Sequence, residues 1–314
     1  LSWLSLSHEA AIVYWSVMGL FVGSFLNVAI HRLPLENETV SKPRRSRCPN
    51  CKTTLTWKEN VPVFSWLVQG GKCRTCKWPI PWRYPLVELL TAALWAFVAW
   101  RTLPERFDLC LIHTVVLSGL VVATFVDFAC FEIPDEVSIG GMVLAPIASL
   151  AVPDLHAGSA VAAWIDGESA ASVSRVAALS TCLLGMLVGG GILWLIGKAG
   201  SALYGRDAMG FGDVKLLAAG GGFVGPGAIL VALMIGALVA SIAGLGNVIR
   251  FFVLLRRRAR ERGRRGGIGR SLAVARIAGR YLPFGPYLAV GIGIVLTAWK
   301  DVAGLIPLSD LWRR

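Results

Sequence analysis

Long apolar runs, separated by shorter charged segments, constrain this chain more than any other feature. They cover approximately Ala10 to Ile30, Leu86 to Trp100, Leu109 to Val126, Val137 to Val152, Val176 to Ile196, Val214 to Val224, Ile229 to Leu255 and Phe284 to Trp299. A bilayer core of about 30 Å takes roughly 20 apolar residues as a helix, so the pattern predicts an all-α polytopic membrane protein with about eight spans. Mean hydropathy is +0.63 and only 16% of residues are charged, which excludes an ordinary soluble domain. The Val214 run is short, and Gly220, Gly221, Gly222, Gly225 and Pro226 break its end, so a tilted or half-buried segment is expected there. No cleavable signal peptide is evident, and the first run is expected to remain in the protein.

The formal net charge is +12, but the basic residues collect between apolar runs rather than on a recognition element, which argues against a nucleic-acid partner. Lys and Arg at span ends are retained on the cytoplasmic side. The segments from His31 to Tyr84 and from Arg256 to Arg280 are the richest in them, so both are expected in the cytoplasm. Alternating the spans then puts the N-terminus and Pro153 to Arg175 outside, and Asp127 to Glu136 and Lys198 to Asp213 inside. The Arg-rich segment after Leu255 suits anionic membrane lipids.

Of seven cysteines, Cys48, Cys51, Cys73 and Cys76 form two Cys-x-x-Cys knuckles that can offer four thiolates to one tetrahedral zinc ion. A pair of disulfides is the alternative, disfavoured in a reducing compartment. Four sulfurs close the coordination shell, so zinc would order the loop rather than perform chemistry. Cys110, Cys130 and Cys182 are isolated and expected as buried packing residues.

Asp127 follows an apolar run directly, where an ionisable group is costly and a functional candidate. Asp135, before the next run, has a competing role as a helix N-cap. Asp213 closes Gly210-Phe-Gly-Asp213; an N-cap is again the alternative, but Gly210 and Gly212 would permit unusual torsions and close approach of another segment. Two carboxyl groups brought within a few Å share a proton, and one can then activate water while the other protonates a carbonyl or leaving amine. Lys215 either extends its amine to the interface or contacts the substrate or the Asp pair.

The segments Gly23-Ser-Phe-Leu-Asn-Val-Ala-Ile-His-Arg-Leu-Pro34, the knuckles around Asn60 to Trp66, Arg83-Tyr-Pro-Leu-Val-Glu88, Asp127 with Ile133-Pro-Asp135, Met209 to Leu217 and Pro283-Phe-Gly-Pro-Tyr287 together resemble the prepilin peptidases. The resemblance implies an aspartic endopeptidase that removes the basic leader of type IV prepilins and pseudopilins at the cytoplasmic face of the bacterial inner membrane. It implies Asp127 and Asp213 as the catalytic pair, supported by Gly210, Gly212 and Lys215. Many members carry a further Asp where this chain has Ala129, which narrows the first position to Asp127. It also implies N-methylation of the new N-terminus by S-adenosyl-L-methionine, for which no Gly-rich cofactor fingerprint is visible; the motifs around the cysteine loop are the family's suspects. The expected domains are a first span over 1–30, a four-cysteine loop domain over 31–85 and a membrane-embedded peptidase domain over 86–314. Glu132, Asp135, Glu136 and Asp207 are expected to form an acidic landing surface for the leader. A proton-coupled transporter or channel using the paired carboxylates is the alternative function, and a non-catalytic zinc-ribbon assembly factor is a third.

Overall fold

The structure, a computed structural model, describes residues 7–35, 39–41, 45–167, 172–205, 209–261 and 282–305. Asp207 and most of the Arg-rich segment after Leu255 lie outside them. The described helices are α1 (His8–Arg32), α2 (Phe64–Val68), α3 (Arg83–Thr102), α4 (Phe107–Cys130), α5 (Asp135–Ala151), α6 (Ala160–Asp166), α7 (Arg175–Tyr204), α8 (Phe211–Val224), α9 (Pro226–Glu261) and α10 (Gly285–Leu305). No strand occurs among the described residues, only two isolated bridges.

Each of the eight apolar runs falls in one helix. Four helices, α1, α4, α7 and α9, are long and apolar enough to cross a membrane, and α10 contributes a shorter apolar stretch over Gly285–Trp299. The chain is a helical membrane protein. Local chemistry sets several ends: the Ser7 hydroxyl accepts from the Ala10 amide at α1, and the Ser174 hydroxyl accepts from the Ala177 amide at α7. His31 and Arg32 close α1, where positive charge suits the carbonyl end of a helix, and Gly205 closes α7 in the left-handed region at φ 66°.

The short helix α8 occupies the centre. Every residue from Leu216 to Phe223 is buried, so this segment is a core helix clasped by α5, α7 and α10 rather than half-buried as expected. Small residues make this packing close: a Cβ on Gly222 would stand 2.7 Å from Ala145 Cβ, and one on Gly189 2.5 Å from the Leu217 carbonyl oxygen. The pair α1 and α3 uses the same device, with Gly19 against Ala92 and Gly23 against Glu88. The C-terminal ends of α1 and α4 and the N-terminal ends of α3, α8 and α10 gather at one end of the bundle.

Candidate active site

Asp127 lies in the last turn of α4 and is 5% exposed. The helix ends four residues later because Phe131 adopts a left-handed conformation (φ 59°, ψ 33°), its amide bonding back to the Asp127 carbonyl, and Pro134 follows. The Asp127 side chain has a partner that is remote in sequence: the Gly285 amide, at the start of α10, donates to Oδ2 at 3.0 Å.

Asp213 sits in the first turn of α8, half-buried, where the exposed amides of a helix start favour negative charge. It is not the N-cap; Gly210 is, with φ −69° and ψ 138°. Those torsions are open to any residue, so Gly210 is not there for unusual backbone geometry. Gly212 matters by size. A Cβ on it would meet Ile133 Cβ at 3.2 Å, and one on Gly285 would meet Ile133 Cδ1 at 2.9 Å. Buried Ile133 therefore wedges between the α8 and α10 N-termini and brings both against the end of α4. Asp127 and Asp213 thereby stand at neighbouring helix ends.

Both border one cleft of about 460 Å³, together with Leu33, Pro34, Glu132, Glu136 and Lys215. Lys215 neither reaches out alone nor touches the Asp pair: it forms an ion pair with Asp135 and lies 5.7 Å from the centre of the Phe211 ring. Asp135 is accordingly not the cap of α5. Pro134 occupies that position, and the Asp135 carboxylate turns instead to Lys215 on α8. The surface expected to be acidic thus keeps Glu132 and Glu136 exposed and without an ion pair to a described residue. Gly285 falls in the Pro283-Phe-Gly-Pro-Tyr287 segment that carries the family resemblance, but residue type gives no sign that its amide is the functional group.

The Sγ atoms of Cys48, Cys51, Cys73 and Cys76 all lie within 4.8 Å of one another. Cys48 to Cys76 is 3.8 Å and Cys51 to Cys73 is 4.0 Å, close to the roughly 3.8 Å edge of a tetrahedron with Zn–S bonds near 2.3 Å. All four are free thiols rather than disulfides, so the donor set fits zinc. The knuckles are built alike. In each, the first cysteine's carbonyl accepts from an amide four residues on, that of Lys52 or Lys77, and both lysines have positive φ, 56° and 58°. The Thr53 hydroxyl beside Cys51 is the main cause pulling that thiol down to about 6, and backbone amides at Cys76 and Thr75 lower Cys73, whereas burial pushes Cys48 up to about 11; the first two favour the thiolate form a metal needs. Of the isolated cysteines, Cys110 and Cys182 are fully buried, as expected, whereas Cys130 is exposed because it ends α4 at the rim of the bundle.

Comparison with known proteins accounts for both ends of this architecture. Residues 17–102 match the bacterial peptidase A24 N-terminal domain and residues 114–245 match the type IV leader peptidase family. Among curated relatives, the prepilin leader peptidase/N-methyltransferase of Aeromonas hydrophila is 32% identical, covering 95% of each chain. The protein of the same name from Pseudomonas aeruginosa is 31% identical over 94% of this chain and 93% of its own, and that from Neisseria gonorrhoeae is 28% identical over 95% and 96%. No solved structure matches. Two adjoining family models and relatives matched over nearly their whole length settle the family: this chain belongs to the type IV leader peptidase family, whose relatives here are prepilin leader peptidase/N-methyltransferases.

Proposed function

We propose that this chain cuts the basic leader from type IV prepilins and pseudopilins with Asp127 and Asp213 as its catalytic pair, and then methylates the new N-terminus. The observation that carries the reading is that the two carboxyl groups, 86 positions apart in sequence, border a single cleft at one end of the helix bundle. Two interacting carboxyls hold one proton between them. The ionised one takes a proton from water as the oxygen attacks the peptide carbonyl; the protonated one gives its proton as the C–N bond breaks, so the products are a carboxylic acid and a free amine. The titration belongs to the pair, and neither Asp has a separate role assigned.

A prepilin has a basic leader in the cytoplasm and an apolar segment in the bilayer, so its scissile bond lies at the interface. A cleft at the helix ends, facing the cytoplasm of the bacterial inner membrane as the charge distribution implies, meets that bond there. Glu132 and Glu136 receive the leader's positive charge. The four cysteines of the 31–85 segment hold a structural zinc ion, between the first span over 1–30 and the peptidase domain over 86–314. S-adenosyl-L-methionine supplies the methyl group. The peptidase/methyltransferase relatives argue against the transporter reading, which shares only the paired carboxylates.

The test is cleavage of a purified prepilin by the wild-type chain, Asp127→Asn and Asp213→Asn, each reconstituted in lipid. Loss of cleavage in both variants is expected. Cleavage retained in either one removes that residue from the mechanism.

A further inference from the structure

Helix α2, inside the cysteine loop, turns an apolar face outward. Phe64, Leu67 and Val68 stand at positions i, i+3 and i+4, which share one side of a helix, and they are 65%, 61% and 70% exposed. The opposite side is fixed inward. The Trp66 Nε1–H donates to the Ile80 carbonyl at 3.1 Å, its ring packs against Gly71, and Ser65, Trp66 and Gln69 border the space between the loop and the last turns of α1. The turn Trp57–Asn60 packs on α2 and adds the exposed ring of Trp57, with the Lys58 ammonium 5.5 Å from its centre. Trp82, also exposed, stands at the start of α3. Large apolar side chains grouped in this way on a surface mark a contact with something apolar.

The depth of α2 in the molecule says what covers this face. The Val63 amide, at the start of α2, donates to Glu88 Oε2 at 2.7 Å, and Glu88 lies roughly 8 Å along the axis of α3 from its first residue. Gly23 of α1 backs onto the same residue. Helix α1 is long and apolar enough to cross a membrane; near this level it exposes Phe21 and Phe25, while α3 exposes Leu86, Leu89 and Leu90. Helix α2 therefore begins where the two helices beside it already present apolar side chains to lipid. Val63 holds φ 60°, a torsion that a β-branched residue adopts only under constraint, and the bond to Glu88 supplies one. Charge agrees with depth. Between positions 45 and 83 there are eight basic residues and one acidic residue, Glu59, a balance that suits phosphate headgroups above an apolar layer and would repel a second copy of the same surface. Tryptophan beside a basic residue, as at Trp57 and Trp82, is the chemistry of the membrane interface. We propose that α2 lies in the bilayer surface, with Phe64, Leu67 and Val68 among the upper acyl chains and Trp57 and Trp82 at headgroup level. The four-thiol loop is then moored to the leaflet as well as to α3, beside the end of α1 whose Leu33 and Pro34 border the Asp-lined cleft.

The experiment uses the full chain in nanodiscs containing a phospholipid with a diazirine on the upper part of one acyl chain. After irradiation, tryptic peptides are mapped for attached lipid. Peptide 59–72 carries α2; peptide 84–101 carries the exposed Leu89, Phe97 and Trp100 of α3 and is the internal standard. Lipid on both peptides of the wild-type chain is expected, a readout independent of any variant's folding. Leu67→Glu puts a charge on the apolar face without emptying the core and should lower the label on 59–72 about tenfold relative to 84–101, whereas Leu67→Met should keep it. A wild-type peptide 59–72 free of lipid while 84–101 is labelled overturns the proposal. So does undiminished label in Leu67→Glu, and so do crosslinks from 59–72 to a second protein chain in place of lipid.

Discussion

The Gly285 amide donates to Asp127 Oδ2 at 3.0 Å across 158 positions of sequence, and a Cβ on Gly285 would stand 2.5 Å from the same oxygen. The hydrogen bond and the missing side chain are one feature: only glycine lets the start of α10 approach near enough to hold this carboxylate. Gly285→Ala must push Asp127 aside or shift α10. Displacing a reacting group by about 1 Å can cost roughly 100-fold in rate. Prepilin cleavage by Gly285→Ala should therefore fall by about that factor in kcat, with helix content by circular dichroism retained. Gly191→Ala, on α7 with nothing within 4 Å of the added carbon, is the control and should cleave normally.

Lys215 and Asp135 oppose each other on the cleft, and the side chain of Asp135 is 58% exposed. A pair this open contributes no more than about 1 kcal/mol to stability. Its effect should instead fall on substrate charge. Lys215→Gln releases the Asp135 charge beside Glu132 and Glu136 and should lower KM for a basic leader. Asp135→Asn releases the ammonium and should raise it. The opposed shifts should shrink as salt is raised from low to physiological concentration. Shifts of the same sign would count against an electrostatic role.

Glu132→Lys and Glu136→Lys test the landing surface directly. Both residues are exposed on the cleft, so neither change should alter thermal stability measurably. KM for a basic leader should rise severalfold in each, while a leader with its lysines replaced by glutamine should show a much smaller difference between variant and wild type. Equal effects on both leaders would point to shape rather than charge.

Much of this was legible in the chain because it depends on local pattern. The eight apolar runs each became one helix, since hydropathy reads out segment by segment, and the cysteines met because knuckle spacing alone shapes a metal site. What could not be read depends on how helices dock. Nothing in Val214 to Val224 distinguishes a helix facing lipid from one enclosed on all sides, because both are apolar; the run of glycines is the only hint that neighbours come close. Position before an apolar run suggested a cap at Asp135, but a long-range partner on α8 overrode that local preference. Gly285 acts through its backbone, and a backbone donor leaves no mark in residue type.

The four-thiol cluster predicts a single zinc ion per chain, measurable by elemental analysis of protein purified without chelators. Cys48→Ser and Cys73→Ser remove one buried ligand from each knuckle and should lose the metal. The segment over 45–80 has only two short helical turns and two isolated bridges to order it otherwise. Without zinc, trypsin should cut rapidly at Lys52, Lys72, Arg74 or Lys77, while sites in the helices remain protected. Equal protease resistance with and without bound metal would mean that contacts with α1 and α3 suffice to order this loop.

The contact between α7 and α8 predicts where the bundle tolerates least change. Gly185 on α7 and Gly221 on α8 face each other so closely that a Cβ on either would overlap the other's carbonyl oxygen. Backbone cannot swing aside as a flexible side chain can, so substitution must separate the helices. Overpacking of this kind costs about 1–3 kcal/mol and sometimes more. Because α8 also carries Asp213 in its first turn, any separation moves that carboxylate relative to Asp127. Gly221→Ala should lower the thermal midpoint in detergent by several degrees and reduce cleavage further than the loss of folded protein explains. Gly246→Ala on α9, where the added carbon meets nothing within 4 Å, should change neither. If Gly221→Ala melts early yet cleaves at the full rate per folded molecule, the spacing of α7 and α8 does not control the geometry of the Asp pair.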